Sequence, residues 1–280
     1  MHRLVPLLAL ALAPAFAVAG GQCRYSADRN FDVPAAGVAT LAFEMGSNDV
    51  VLEGVDGLAN IEVRGRACAS DQAWIDGLTV DQRKSGDTLT ITPHAGHDLH
   101  GNWSGMNYAY VILHVRAPSK LVARIRGDSG DAEVSRVASL DFETSSGDLL
   151  VNHVPGTLGL ELSSGDARGD DLGIVDVRSV SSGDITLSGV HGPIEVARVG
   201  SGDLRFSEVG SVRVGSVGSG DVTVSDAGGD VTVDSIGSGD VSVNGVNGAF
   251  HVGSKGSGDV RYRNVRGQVS VPRDVDGDDD

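Results

Sequence analysis

Aromatic and basic residues are scarce in this sequence, and their scarcity argues against several kinds of catalytic site. Only 4% of the 280 residues are aromatic, and lysine occurs three times, at Lys84, Lys120 and Lys255. A polysaccharide lyase needs basic groups, and a glycosidase needs two carboxylates at a defined separation, usually beside aromatic platforms. No Gly-x-Ser-x-Gly, His-Glu-x-x-His or phosphate-loop motif occurs either. The sequence therefore predicts a protein that is not an enzyme.

Cysteine is rare as well, with Cys23 and Cys68 as the only two. Their spacing is far from Cys-x-x-Cys, which argues against redox catalysis. An even number of cysteines in an oxidising compartment predicts a structural disulfide. This bond would join the N-terminal segment to a strand around residues 61–66.

The N-terminal segment, residues 1–19, has the pattern of a secretory signal peptide. Arg3 is followed by an apolar stretch from Leu4 to Val18, and Ala17 and Ala19 provide the small residues before the cleavage point. The stretch is too short to span a bilayer comfortably, so we expect no transmembrane anchor after cleavage. The prediction is an exported protein that is located in the periplasm, at the cell surface or outside the cell.

Basic residues are outnumbered by acidic ones, 22 to 38. Removing residues 1–19 removes Arg3, so the net charge of −16 becomes −17 in the mature chain. Such a surface argues against nucleic acid or an anionic membrane as a partner. Residues 273–280 hold five of the aspartates and are predicted to form an acidic, disordered tail.

A repeated Ser-Gly-Asp triplet is the strongest pattern in the chain. Its aspartates recur at a nearly constant spacing, at Asp131, Asp148, Asp166, Asp184, Asp203, Asp221, Asp240 and Asp259. After each triplet, apolar and small polar residues alternate, as in Val222-Thr223-Val224 and Val231-Thr232-Val233. This period of two predicts strands with valines turned inward and threonines outward.

Glycine separates these strands. Residues 127–280 hold 28 of the 40 glycines, which excludes a helical fold there. We expect the glycine of each triplet to supply a backbone angle that other residues resist.

One such unit is too small to form a core, but stacked units bury a continuous apolar column. The predicted fold is an all-β, single-domain parallel β-helix, or solenoid, with coils of 18–19 residues. An antiparallel sandwich is the alternative, although nothing there would keep the unit length constant. We predict an N-terminal cap with degenerate first coils over residues 20–126 and the repeat solenoid over residues 127–272.

The Gly-Ser-Gly-Asp-Val-x-Val units behind a signal peptide resemble the bacterial auto-transporter-adhesin-like family of β-strand-repeat domains, whose function is unknown. The resemblance covers residues from about 38 to 271. It implies a right-handed β-helix and an adhesin-like role. It supplies no functional residues.

Two groups of residues are candidate metal ligands. His94, His97 and His100 are spaced by three residues and could offer ligands to zinc, copper or nickel, although we expect a polar loop without a specific metal. The eight triplet aspartates should form a file along the rod. Calcium-binding glycine-rich repeats place Asp two residues after Gly, whereas here Asp follows Gly directly. We therefore predict a structural file, in which each carboxylate accepts a backbone N–H or a Ser hydroxyl, and no cofactor, with calcium as the alternative.

These observations predict an exported, non-enzymatic β-solenoid scaffold or binding protein, adhesin-like, that acts through its long outer surface. Its partner would be a protein or glycan of the cell envelope, and the sequence leaves the oligomeric state open. The alternatives are a β-helical carbohydrate-active enzyme and a metal- or calcium-binding envelope protein.

Overall fold

The computed structural model describes residues 23–94 and 107–272, and strands dominate it, with 66% strand and 3% helix. The strands are β1 Tyr25–Pro34, β2 Thr40–Gly46, β3 Asp49–Val55, β4 Asn60–Ala69, β5 Thr79–Ser85, β6 Thr88–His94, β7 Ala109–Pro118, β8 Val122–Gly127, β9 Ala132–Ser135, β10 Ser139–Thr144, β11 Leu149–Leu162, β12 Ala167–Val180, β13 Ile185–Val190, β14 Ile194–Val199, β15 Leu204–Val209, β16 Val212–Val217, β17 Val222–Ala227, β18 Val231–Ile236, β19 Val241–Val246, β20 Phe250–Lys255, β21 Val260–Val265 and β22 Val269–Ser270. A short 3₁₀ helix spans Gln72–Gly77.

Each coil adds one strand to each of two parallel sheets. The Asp-side sheet begins at the Ser-Gly-Asp corners and contains β3, β9, the first halves of β11 and β12, and then β13, β15, β17, β19 and β21. The far sheet contains β2, β8, β10, the second halves of β11 and β12, and then β14, β16, β18, β20 and β22. The predicted parallel solenoid is confirmed, with about eight turns, and the antiparallel sandwich is wrong.

Equivalent residues of successive coils lie beside one another. Val224 pairs with Val243 in the next coil, and Val233 pairs with Val252. All four side chains are buried, whereas Thr223 is exposed. The alternation read from the sequence therefore builds one apolar column between the two sheets, because each coil continues the column of its neighbours.

The glycine of each triplet is needed for close packing and not for a special backbone angle. In the eight triplets at the corners of the solenoid a Cβ built on this glycine would lie 1.8–2.0 Å from a backbone carbonyl oxygen of the preceding coil, and none of these glycines has a φ angle in the left-handed region. A ninth Ser-Gly-Asp lies in the turn between β5 and β6, and its Gly86 has a left-handed φ of 61°. At the solenoid corners the expectation of an unusual angle was wrong, since the constraint is the distance between stacked corners.

A left-handed residue does occur in each regular coil, five positions after the corner aspartate. The φ angles there are 54° to 75°, at Arg136, His153, Asp171, Gly189, Glu208, Asp226, Gly245 and Asn264. The next residue in every coil is apolar, and all but the last of these are buried. The left-handed turn bends the strand outward for one residue and returns the following side chain to the core.

The N-terminal end departs from the chain order of the repeat. The coil formed by β2 and β3 stacks directly on β8 and β9, and β6 and β7 cover its other side. Beyond them β4, β1 and β5 pair antiparallel, which closes the stack against further parallel strands. The predicted disulfide is confirmed, and Cys23–Cys68 joins the segment before β1 to β4.

Several predicted features lie outside the described residues: the signal peptide, the acidic tail at 273–280, and two of the three candidate histidines, His97 and His100. Within the described part of the chain, no helix is long and apolar enough to cross a membrane.

Candidate binding surface

The corner aspartates form a hydrogen-bonded ladder along one edge of the Asp-side sheet. Oδ1 of every carboxylate except the last, Asp259, accepts a bond from the backbone N–H of the corner aspartate in the next coil. Eight such bonds, 2.8–3.0 Å long, connect Asp49, Asp131, Asp148, Asp166, Asp184, Asp203, Asp221, Asp240 and Asp259, which we call the Asp ladder.

The ladder explains why the corner requires a short carboxylate or amide. From Asp131 onward, the carbonyl of each corner aspartate accepts a hydrogen bond from the residue that follows the corner of the preceding coil, as in Val222 N–H to the Asp240 oxygen at 2.8 Å. Its N–H faces the side chain of the preceding Asp instead, much as an N-cap side chain satisfies a free amide. Among the described hydrogen bonds, the triplet serine hydroxyls do not donate to these carboxylates.

Asp49 was missed as a ladder residue because the coil of β2 and β3 carries Ser-Asn-Asp in place of Ser-Gly-Asp. Asn48 stands in the glycine position and is buried. Its Nδ2 donates to the Met45 carbonyl at 2.7 Å, and its Oδ1 accepts the Val111 N–H at 2.7 Å. A side chain fits here because it bonds to the out-of-order strand β7. The alternating pattern of the residues after Asp49 is the feature of the sequence from which this strand and its corner could have been recognised.

In the C-terminal stretch of the ladder, arginines two positions after the corner neutralise four of the five carboxylates, and Asp221 has no ion pair with a described residue. Arg205 bridges Asp184 and Asp203, with nitrogen–oxygen distances of 3.3 and 2.6 Å. Arg261 bridges Asp240 and Asp259 in the same way, at 2.8 and 2.5 Å. The backbone N–H of Asp259 and the Arg261 guanidinium together hold the pKa of Asp240 below its ordinary value.

Arg168 extends this neutralisation toward the N-terminus by pairing with Asp166 at 3.0 Å. Beyond it, Asp49, Asp131 and Asp148 have no ion pair with any described residue. The equivalent outward positions in their coils have no cation, because they are occupied by Val51, Glu133 and Leu150.

These three coils border a surface groove of about 420 Å³, which we call the apolar–acidic groove. Its acidic row is Asp49, Asp131 and Asp148, and its apolar side chains are Val51, Ile112 and Leu150. Leu150 is 45% exposed. Glu133 adds a fourth carboxylate, while His114 and the paired Arg168 lie at the two ends. Ile112 enters the groove because β7 pairs with β3 and places this residue beside Asp49.

A second cleft of about 480 Å³ lies near the left-handed corners of the first coils. Its arginines are already paired: Arg116 Nη1 lies 2.9 Å from Glu62, and Arg136 contacts Glu53. The charges of this cleft therefore largely compensate one another, unlike those of the apolar–acidic groove.

Two histidines that look unrelated in sequence meet at one aspartate. His153 Nδ1 and His191 Nε2 lie 2.5 and 3.0 Å from the two carboxylate oxygens of Asp171. These contacts lower the pKa of Asp171. The three residues belong to three successive coils, so the stacking creates this cluster, which a reading of local motifs does not reveal.

Of the three candidate histidine ligands, His94 is the one within the described residues, and its Nε2 lies 3.1 Å from Asp81 Oδ2. The described part of the chain contains no group of three or more His, Cys, Asp or Glu side chains arranged to hold a metal ion.

Residues 68–265 match the sequence profile of a family described as "Putative auto-transporter adhesin, head GIN domain". The chain belongs to this family. The match begins within β4, so the groove residues Asp49 and Val51 precede it, whereas the other groove residues and the remaining ladder lie inside it. No curated protein matches the chain.

Solved structures with a similar fold include a putative adhesin from Parabacteroides distasonis, at 16% identity and a TM-score of 0.49, over 85% of this chain and 97% of that one. A putative adhesin from Bacteroides fragilis has 13% identity and a TM-score of 0.41, over 86% and 98%. A putative cell adhesion protein from Clostridium sporogenes has 11% identity and a TM-score of 0.32, over 89% and 100%.

Proposed function

We propose that the chain is an exported, non-enzymatic binding protein that acts through the outer surface of its solenoid, with the apolar–acidic groove as its recognition surface. The observation that carries this proposal is the coincidence of two features. Three consecutive ladder carboxylates lack a cation among the described residues, and the exposed Leu150 and the half-buried Val51 and Ile112 lie directly beside them. Uncompensated charge next to exposed apolar area is typical of a surface that a partner covers.

The scaffold under the groove favours recognition. Val51, Glu133 and Leu150 project from adjacent strands whose backbones are bonded in register. The ladder fixes the carboxylates beside them through hydrogen bonds of 2.9–3.0 Å. Side chains held in this way lose little conformational freedom when a partner binds, so more of the contact energy contributes to affinity.

The sequence also favours binding over catalysis, because basic and aromatic residues are few and the common catalytic motifs are absent from it. Membership in a family described as adhesins agrees with a binding role.

Export is supported by the signal-peptide pattern of residues 1–19 and by the disulfide. A Cys23–Cys68 bond persists in an oxidising compartment and is rare in the cytosol. The adhesin family description points to the same side of the membrane.

Cell fractionation followed by a binding screen tests the proposal. We expect the full chain, expressed with its own N-terminal segment 1–19, to leave the cytoplasm with its cysteines oxidised. The purified mature protein should retain components from an envelope extract without changing them chemically. Reduced protein confined to the cytoplasm would contradict export, and cleavage of a polysaccharide substrate would contradict the non-enzymatic role.

A further inference from the structure

We propose that the partner of the apolar–acidic groove is a cationic, amphipathic polypeptide segment, with Lys or Arg side chains alternating with apolar ones. This inference rests on the proposed function and adds the chemistry of the partner. Three features of the groove support it: its charge, the apolar side chains beside that charge, and the lack of a described cation that pairs with its ladder carboxylates.

The charge is displayed in a regular row. Successive coils lie about 4.8 Å apart, so Asp49, Asp131 and Asp148 place three carboxylates within about 10 Å. Oδ1 of each is occupied by the backbone N–H of the next ladder residue, and Oδ2 has no hydrogen bond or ion pair with a described residue. Carboxylates at this spacing repel one another, and a cationic chain laid along the row removes that repulsion.

The same protein shows what compensates this row elsewhere. In the C-terminal coils Arg205 and Arg261 each bridge two successive ladder carboxylates. A partner with Lys or Arg side chains would reproduce that bridging contact in trans, at coils where the chain supplies Val51, Glu133 and Leu150 instead.

Apolar contact distinguishes a polypeptide from a simple polycation. Val51, Ile112 and Leu150 form the side of the groove next to the carboxylates, and Leu150 is 45% exposed. An amphipathic segment covers these side chains while its cations meet the acidic row, whereas a polyamine leaves them in water. An acidic glycan would meet only repulsion from this row.

The test is a titration of the purified full mature chain with a labelled peptide in which Lys alternates with Leu. Its controls are the same peptide with Glu in place of Lys, and spermine. We expect binding of the Lys–Leu peptide that weakens as NaCl is raised, weaker binding of spermine, and none of the Glu peptide.

Two pairs of variants locate the site. The triple variant Asp49→Asn, Asp131→Asn and Asp148→Asn keeps an oxygen acceptor at each ladder position and removes three charges. It should weaken peptide binding about tenfold, from three exposed ion pairs. Its control, Asp203→Asn, Asp240→Asn and Asp259→Asn, removes the same charge from the arginine-paired stretch and should stay within about twofold, since screening limits its reach.

The second pair tests the apolar contact. Leu150→Ala should weaken peptide binding about threefold, because less apolar area is covered. Ile174→Ala is the matched control, since Ile174 is also 45% exposed but lies on the far sheet, and it should leave binding unchanged.

Each other outcome counts against the inference. Equal weakening by both triple variants would mean that the peptide responds only to net charge. Retention of neutral or anionic glycans in place of the Lys–Leu peptide would overturn the inference and leave the proposed binding function intact. Failure to bind any envelope component would overturn the proposed function itself.

Discussion

The N-terminal stretch of the Asp ladder, from Asp49 to Asp148, and its C-terminal stretch, from Asp184 to Asp259, share one backbone but differ on the surface. Both are joined by the same amide-to-carboxylate bonds of 2.8–3.0 Å. The difference lies in the residue two positions after each corner. In two of the five coils of the C-terminal, paired stretch that residue is an arginine, Arg205 or Arg261, which bridges two carboxylates. In the N-terminal, bare stretch no coil has a cation there, and the residues are Val51, Glu133 and Leu150.

This comparison separates the positions that specify the fold from those that specify the surface. Inward valines and the Gly-Asp corner are repeated because neighbouring coils contact one another there. The side chain two positions later is exposed or half-buried and lies outside the apolar column, so it can change from arginine to leucine without disturbing the stack. The repeat therefore fixes a rod and leaves its surface charge to be set coil by coil.

The largest effect should come from the corner glycines, and it should be equal in both stretches. A Cβ at Gly147 would lie 2.0 Å from the Gly130 oxygen, and one at Gly220 would lie 1.9 Å from the Gly202 oxygen. Gly147→Ala and Gly220→Ala should each lower the free energy of unfolding by about 3 kcal/mol or more, because stacked backbones must separate. Thermal or urea unfolding measures this.

Gly228→Ala is the control for these variants. A Cβ built on Gly228 would have the Val209 oxygen as its nearest neighbour, at 3.6 Å, and the φ angle of Gly228 is not left-handed. We expect a change within about 0.5 kcal/mol. A mild effect at Gly147 or Gly220, similar to that at Gly228, would show that the close approach of the corners does not constrain the fold.

A smaller effect should separate the hydrogen bond of the ladder from its charge. Asp131→Ala removes the acceptor of the Asp148 N–H and should cost about 1 kcal/mol of unfolding free energy. Asp131→Asn keeps an acceptor oxygen and removes one of three repelling charges, so it should be neutral or slightly stabilising. Equal destabilisation by Ala and Asn, measured by urea unfolding, would show that the carboxylate charge itself is required.

Acid should act on the paired stretch through Asp240, whose pKa is lowered mainly by the Asp259 N–H and further by Arg261. A carboxyl group with a lowered folded pKa stabilises the protein above its ordinary pKa and loses that contribution as pH falls through the folded value. Unfolding measured from pH 7 down to pH 2 should therefore show less acid destabilisation in Asp240→Asn than in the wild type. Arg261→Gln should fall between the two, because the backbone bond remains, and a profile identical to that of Asp240→Asn would contradict this order of causes.

The smallest effect should be that of calcium. Because the ladder carboxylates have amide partners and many have arginines, we expect the protein to fold in chelator and its melting temperature to change little in millimolar calcium. Magnesium at the same ionic strength is the control. A large rise with calcium alone would establish a calcium-dependent solenoid in place of a self-sufficient ladder.

Much of the fold follows from the sequence because the repeat is local. The spacing of the triplets gives the coil length, and alternation such as Val222-Thr223-Val224 gives the inward face, which is buried as expected. The role of the triplet glycine was misjudged, since the sequence cannot show how closely two corners approach. The pairing partner of each carboxylate depends on the same stacking distance.

The candidate site was largely invisible in the sequence because it depends on coils that are distant or out of order. Asp49 joins the ladder through a Ser-Asn-Asp corner, and Ile112 reaches the groove because β7 lies beside β3 rather than after it. His153 and His191 meet at Asp171 only when three coils are stacked. Chain order predicts neighbours well inside a regular repeat and poorly at its irregular end.

Carboxyl labelling shows whether the bare stretch of the ladder, and not the paired one, is the recognition surface. The mature protein would be treated with a carbodiimide and an amine, with and without the Lys–Leu peptide, and each ladder aspartate quantified by mass spectrometry. We expect the peptide to protect Asp49, Asp131 and Asp148 and to leave the labelling of Asp203, Asp221 and Asp240 unchanged. Protection spread evenly along the ladder, or confined to its C-terminal stretch, would contradict this expectation.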